Sequence, residues 1–275
     1  MKSETQKKFN QLKEYLENLG EAAVAFSGGT DSTLLLAVAR DIPGVKTLAI
    51  TAKTPYMPDW ELKEAEEFIR KKDIEQVVVT LGIHESIQNN PPERCYLCKS
   101  SLFKALIEAA TSKGFTHVMD GTNASDTLDY RPGLRALREL KIKSPLLETG
   151  ITKNEVREIS AELNLPTWNK PAYACLLTRL PFNQTIEEKE LKAIEKAEVY
   201  LMEKGYREVR VRKHNNLARI ELPIEKIGPF MARPDLHEIV DFIRETGFTY
   251  VTVDLAGYAT GSFNQEIPDS VREEN

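Results

Sequence analysis

An α/β fold on a parallel sheet, followed by a smaller α+β domain, is the architecture this sequence predicts. Three observations carry that expectation. Strand-length apolar runs alternate with helical patterns as far as Leu165, and such alternation implies βαβ units with parallel pairing. A glycine turn, Ser27-Gly28-Gly29-Thr30-Asp31-Ser32, joins the first apolar run to a helical pattern. After Leu165 the alternation stops, and Pro166, Pro171 and Pro181 punctuate a long loop. Domains are therefore expected at 1–182 and 183–275.

The elements follow in order. Phe9, Leu12, Leu16 and Leu19 recur at helical spacing over residues 4–19, with Gly20 as the stop. Residues 22–26 are the first strand, 32–40 a helix and 45–51 a second strand. Pro58-Asp59 opens a helix to about Lys71, because proline fits a first helical turn and acids suit the positive end of the helix dipole. Residues 76–80 form a third strand and 82–94 a loop broken by Asn89-Asn90-Pro91-Pro92. A helix over 96–113 ends at Gly114, and 116–120 is a fourth strand. A loop through Gly133, a helix over 134–140 and an extended stretch over 142–146 come next. Thr152 starts a helix to about Leu163, with Glu155 placed to close a capping box. In the second domain, 185–204 is a long charged helix and 207–212 and 217–222 are strands around Asn215-Asn216. A helix over 235–246 and a strand over 249–254 complete it.

The chain has 275 residues, 41% of them hydrophobic, as expected of a globular protein with a sizeable core. No apolar run approaches a membrane span, and the charged start, residues 1–18, is unlike a secretory signal. A cytoplasmic location and no membrane partner are expected. The formal net charge is −5. Residues 183–275 carry 13 Lys/Arg against 18 Asp/Glu, and the rest of the chain carries 24 of each. An acidic C-terminal third opposes a nucleic-acid partner, which calls for a basic surface.

The glycine turn is the chemical centre of the sequence. Two glycines let the backbone bend tightly and approach a ligand. A helix start adds unpaired N–H groups and positive dipole, which suits an anion. Ser27, Thr30 and Ser32 add hydroxyl donors. Asp31 would repel a phosphate unless a Mg²⁺ ion bridges the two. The string is not a Walker A loop, and no G-x-G-x-x-G occurs. Ligands in such folds lie at the carboxyl ends of the strands. Asp120-Gly121-Thr122-Asn123 follows the fourth strand as the glycine turn follows the first, so both loops are placed to face one pocket.

Cys95, Cys98 and Cys175 are the three cysteines. In a cytoplasmic protein they suit catalysis or metal binding better than a disulfide framework. Cys95-Tyr96-Leu97-Cys98 at a helix start lets two thiolates point at one ion, and the dipole, Arg94 and Lys99 favour the thiolates. Three thiolates leave one position open, as in a catalytic Zn²⁺ site or a [4Fe–4S] cluster with a free iron. His84, His117, His214 and His237 are scattered and support no cluster.

SGGTDS resembles the PP-loop of the ATP pyrophosphatases, which cleave ATP between its α and β phosphates, transfer AMP to a substrate oxygen and release pyrophosphate. The resemblance implies a PP-loop ATP pyrophosphatase domain, of the adenine nucleotide alpha hydrolase-like type, over residues 1–182. It sharpens with Arg94-Cys95-Tyr96-Leu97-Cys98-Lys99, the stretch Asp120 to Asp126, and Pro171-Ala172-Tyr173-Ala174-Cys175-Leu176-Leu177-Thr178-Arg179. Together with Val209-Arg210-Val211-Arg212 and Leu217-Ala218-Arg219-Ile220-Glu221, these resemble the LarE family of PP-loop sulfur transferases, which serve nickel-pincer nucleotide biosynthesis. The likeness covers nearly the whole chain.

That family adenylylates a carboxylate of a pyridinium biscarboxylate mononucleotide and replaces AMP with sulfur, giving a thiocarboxylate. The resemblance implies ATP, Mg²⁺ and a small-molecule nucleotide as ligands, and a homo-oligomer as the assembly. Ser27, Gly28, Gly29, Thr30 and Ser32 would hold the phosphates and Asp31 the Mg²⁺. Ala52 would sit near the adenine, with Gly121, Asn123 and Asp126 on the far side of the nucleotide. Cys175 would be catalytic, with Arg179 near the reacting carboxylate or the cluster. Arg210 and Arg212 share one face of a strand and suit a substrate phosphate. The sulfur is expected to come through a [4Fe–4S] cluster on Cys95, Cys98 and Cys175. The alternatives are Cys175 as a sacrificial donor and, third, a Zn²⁺ site. Rival functions are tRNA thiolation, ammonia-dependent chemistry of the NAD synthetase kind, and a nucleotide sensor without catalysis.

Overall fold

A computed structural model of the protein describes residues 1–128 and 132–258. Chain contacts divide these residues into two units. The first comprises residues 1–84 and 93–172, and the second residues 85–92 and 173 onward. The sequence boundary at 183 thus falls inside the second unit. Part of the loop expected before Gly133, at 129–131, lies outside the described residues, as do 259–275.

The first unit runs α1 (Ser3–Leu19), β1 (Glu21–Ala25), α2 (Thr30–Asp41), β2 (Lys46–Lys53), α3 (Asp59–Lys72) and β3 (Gln76–Thr80). It resumes with α4 (Arg94–Ser112), β4 (Val118–Met119), α5 (Gly133–Glu139), α6 (Pro145–Glu148) and α7 (Lys153–Glu162). The strands form one parallel sheet in the order β3-β2-β1-β4. Successive residues of β1 point to opposite faces. Ala22 and Val24 join a core with Leu12, Leu16, Leu35 and Ile159, while Ala23 joins another with Leu48, Phe103 and Leu106. Both faces are therefore covered by helices, which is why the strands read as continuous apolar runs.

Gly20 ends α1 in the left-handed conformation, φ 67°, and Thr152 and Glu155 close the expected capping box on α7. Three segments differ from expectation, the first being a 3-10 turn over Ala124–Leu128 in the loop before Gly133. β4 is two residues long, not five: the Glu21 carboxylate accepts from the N–H groups of Thr116 and His117 at 2.7 and 2.9 Å and takes the donors a longer strand would use. The stretch 142–146 pairs with β4 only at Lys143, because Pro145 opens α6.

The second unit holds a sheet β5 (Arg210–His214), β6 (Leu217–Glu221) and β7 (Tyr250–Val253), with α8 (Glu188–Glu203), α9 (Ile224–Met231) and α10 (Leu236–Glu245). β5 and β6 are antiparallel, and β6 and β7 parallel. α9 is absent from the sequence reading because Gly228 and Pro229 inside it read as a break. α8 begins at Glu188, three residues later than expected. Residues 85–92, read as a plain loop, contain a 3-10 turn over Glu85–Ile87. Asn90 fixes them in this unit, donating from Nδ2 to the carbonyls of Leu180 and Pro181 at 3.2 and 2.7 Å.

Candidate active site

In the first unit a cleft of about 310 Å³ opens where β1, β2 and β4 end. One side is polar: Ser27, Gly29, Asp31 and Ser32 of the glycine turn face Asp120, Gly121, Thr122 and Asp126 of the loop after β4. The other is apolar: Ile50 and Ala52 of β2, Met57, and Leu102, Phe103 and Leu106 of α4. A phosphate-bearing group with a flat apolar end suits that division.

The turn owes its shape to its neighbours. Gly28 has φ +71°, and a Cβ there would stand 3.0 Å from Ala65 Cβ. Gly29 caps α2, so the free N–H groups of the first helical turn point toward the cleft. The hydroxyls of Ser27 and Ser32 lie 3.2 Å apart, and Ser32 Oγ also donates to the Gly29 carbonyl at 3.3 Å. Gly28 and Thr30 are not among the residues that line the cleft. Thr30 donates to the Thr167 carbonyl at 3.0 Å, and Lys170 donates from Nζ to the Gly28 carbonyl at 3.2 Å and to Glu64 at 2.8 Å. These bonds tie the turn to the segment around 167–170.

Asp31 stands at the centre of this side. Its Oδ1 accepts from Asn123 Nδ2 at 3.1 Å and its Oδ2 from Lys153 Nζ at 2.5 Å. Asn123 does not line the cleft; it ties the loop after β4 to Asp31, and its own N–H donates to Asp126 at 3.0 Å. Gly121 comes so close to α2 that a Cβ would meet Ser32 N at 2.8 Å and Asp31 Cβ at 3.0 Å. Asp120 is buried and accepts from Ser144 Oγ at 2.7 Å and from the Thr122 hydroxyl. The sequence points to Lys99 only as a neighbour of the Cys-x-x-Cys pair and to Asp120 only as part of the loop facing the pocket, and it gives Lys153 no role. Lys99 follows the Cys98 of the Cys-x-x-Cys pair and reaches the cleft. Lys153 had a legible signal, since a cation in a first helical turn opposes the dipole.

None of the three cysteines is in a disulfide. Cys95 is exposed and Cys98 half-buried on one face of the first turns of α4, with Cys98 Sγ 3.1 Å from the Tyr56 hydroxyl. Cys175 belongs to the second unit, where it precedes a 3-10 turn over Leu176–Arg179. Among the described residues no three His, Cys, Asp or Glu side chains are grouped to hold a metal ion.

The Cys175 turn is built on a buried ion pair. Arg179, 1% exposed, donates from Nε and Nη2 to the two oxygens of Glu198 at 2.8 and 3.0 Å. Its Nη1 reaches the Ala174 carbonyl at 2.9 Å and Thr178 Oγ1 at 2.8 Å. Burial opposes the charge of Arg179, but the Glu198 carboxylate outweighs it and holds the guanidinium above its ordinary pKa. Arg212 pairs with Glu221 at 2.9 Å and donates to the Thr178 carbonyl at 2.5 Å. Arg210 lies against the rings of Tyr173 and Tyr258, and burial, then repulsion from Arg179, lowers its pKa. Arg179, Arg210 and Arg212 thus share this buried region with two carboxylates, Glu198 and Glu221.

No protein-family model matches the chain. It is 36% identical over 255 residues, 92% of each chain, to a pyridinium-3,5-bisthiocarboxylic acid mononucleotide synthase of Lactiplantibacillus plantarum. An uncharacterized protein of Synechocystis is 42% identical over 94% of this chain and 97% of its own. A glutamine-hydrolyzing GMP synthase chain of Thermoplasma volcanium is 27% identical over 59% of this chain and 58% of its own.

Proposed function

The chain belongs to the family of pyridinium-3,5-bisthiocarboxylic acid mononucleotide synthases, and from that premise we propose that it is an ATP-dependent sulfurtransferase acting on a pyridinium mononucleotide. The observation that carries the reading is the two-faced cleft, which gathers Ser27, Gly29, Asp31, Ser32, Ala52, Gly121 and Asp126 around one volume. The adenine lies on the apolar side near Ala52, and the phosphates meet the α2 amides and the hydroxyls of Ser27 and Ser32. Asp31 is the carboxylate that would hold Mg²⁺, which neutralises phosphate charge when bound.

A carboxylate of the pyridinium substrate attacks the α-phosphorus of ATP. The bond to the β-phosphate oxygen breaks, and pyrophosphate departs on the side of the α2 amides, whose preset dipoles stabilise its charge. The resulting acyl adenylate exchanges AMP for sulfur to give a thiocarboxylate. Arg210 and Arg212 are proposed for the substrate phosphate, because guanidinium groups suit bidentate phosphate contacts. Arg179 acts by holding the Cys175 turn.

For the sulfur we propose a [4Fe–4S] cluster on Cys95, Cys98 and Cys175, which would supply sulfide from an iron that no protein thiolate occupies. The support is chemical: three cysteines outside any disulfide, two of them on one helical face. The competing reading, Cys175 as a consumed donor, needs neither Cys95 nor Cys98. Cys95→Ala and Cys98→Ala separate the two. Under the cluster reading both variants lose iron and turnover; a single turnover by iron-free variants, with Cys175 converted to dehydroalanine, rejects it. The overall reading is tested by incubating the enzyme with Mg²⁺-ATP, the pyridinium biscarboxylate mononucleotide and sulfide. AMP, pyrophosphate and a thiocarboxylate are expected, whereas ADP and orthophosphate would overturn it. Assembly into a homo-oligomer is proposed through the second unit, which exposes Ile224, Met231, Tyr250 and Leu255.

A further inference from the structure

Lys153 has no part in the reaction as described above, yet it is bonded to Asp31, which lines the cleft's polar side. It is the first residue of α7, directly after the Thr152 cap. Its backbone N–H donates to Ser125 Oγ at 3.0 Å, in the loop that also carries Asn123 and Asp126. Its Nζ meets Asp31 Oδ2 at 2.5 Å, with the two side chains 30% and 22% exposed. A lysine at this end of a helix opposes the dipole, and a local rule broken this way is expected where function requires it. The lysine's reach is fixed by packing, since Val156 and Ile159 of α7 share a core with Leu34, Leu35 and Val38 of α2.

We propose that Lys153 is a nucleotide-contacting residue held in reserve on Asp31. This rests on the reading of the glycine turn as the triphosphate site. Without nucleotide, the ammonium neutralises Asp31 and competes with a divalent cation for Oδ2. Mg²⁺ demands close oxygen ligands in octahedral geometry, so it and the ammonium exclude one another at that oxygen. When the cation arrives with the nucleotide, Lys153 gives up Asp31 and turns its flexible four-carbon stem and three donors to the phosphate chain. Asn123 keeps its bond to Oδ1 throughout, so the carboxylate stays in place while its second partner changes. The consequence is an order of binding: the site refuses Mg²⁺ alone and accepts it with nucleotide.

Calorimetric titration of the full chain with α,β-methylene-ATP, in EDTA and in Mg²⁺, and with Mg²⁺ alone, tests this in the wild type, Lys153→Gln, Lys153→Arg and Asp31→Asn. Lys153→Gln should bind Mg²⁺ alone more tightly than the wild type, and the analogue in EDTA about tenfold more weakly. Lys153→Arg should restore most of the analogue affinity. Asp31→Asn releases the ammonium, so in EDTA it should bind the analogue at least as tightly as the wild type. This arm stands even if Lys153→Gln folds poorly. Equal analogue affinity in Lys153→Gln and the wild type, or weaker binding by Asp31→Asn in EDTA, would overturn the proposal. A wild type that binds no analogue at all rejects the triphosphate site itself, and the proposal with it.

Discussion

Asp31 joins the glycine turn, the loop after β4 and the start of α7, because Asn123 and Lys153 both bind its carboxylate. Asp31→Ala should lower kcat for AMP formation on the order of a hundredfold, comparable to the loss of a residue that orients a metal ligand. Steady-state pyrophosphate release at saturating ATP measures it, and an unchanged kcat would remove Asp31 from the mechanism. A second test concerns Glu198. It is 4% exposed and neutralises an Arg179 that is 1% exposed. Glu198→Ala leaves that guanidinium buried with no carboxylate, a change that costs roughly 3–5 kcal/mol. Urea unfolding should show the loss, and Cys175 should react faster with a thiol reagent as its turn loosens. Asp31 and Gly121 are legible in the sequence because each breaks the pattern around it. The Arg179–Glu198 pair is not, since nothing local links a loop arginine to a glutamate on the buried face of a charged helix.

At the scale of elements, the loop after β4 comes close to α2 in the cleft. Gly121→Ala places a methyl group 2.8 Å from Ser32 N. Either the loop or the helix must yield, at about 1–3 kcal/mol. The melting temperature should fall and the affinity for ATP should fall with it; binding at wild-type affinity would show that the two elements are not held rigidly. A further prediction follows from the cap on α7. Burial pushes the Glu155 carboxyl up, but hydrogen bonds from Lys8 and Thr152 outweigh it and hold the pKa below the ordinary value. A carboxylate depressed in the folded state stabilises above its unfolded pKa, and this is lost as pH falls through the folded value. The α7 cap therefore weakens in acid. Glu155→Gln should flatten the acid limb of the stability profile. Elements with strong one-dimensional signals, such as α1, β1, α3 and the capped α7, are legible in the sequence. β4 and α9 are not: Glu21 shortens the one by taking its amides, and Gly228-Pro229 hides the other.

For the molecule as a whole, exposed Met231 on α9 and Tyr250 on β7 make assembly testable. Met231→Lys combined with Tyr250→Glu should lower the mass in light scattering to that of a smaller species, with the secondary structure unchanged. The same mass as the wild type would place the contacts elsewhere. Among the described residues no helix is long and apolar enough to cross a membrane.

The assignment of residues 85–92 to the second unit also bears on how the protein can be dissected. The chain crosses between units at 84/85, at 92/93 and again at 172/173, so the second unit is not an appendage that one cut removes. A fragment ending at residue 172 would keep 85–92 but lose the Leu180 and Pro181 carbonyls that Asn90 binds. That orphaned stretch lies immediately before the helix bearing Cys95 and Cys98. A chimera that borrows the second unit from a relative must therefore borrow two pieces of sequence together. In the same way, inheritance should treat 85–92 and the segment from 173 onward as one module, although eighty residues of another separate them.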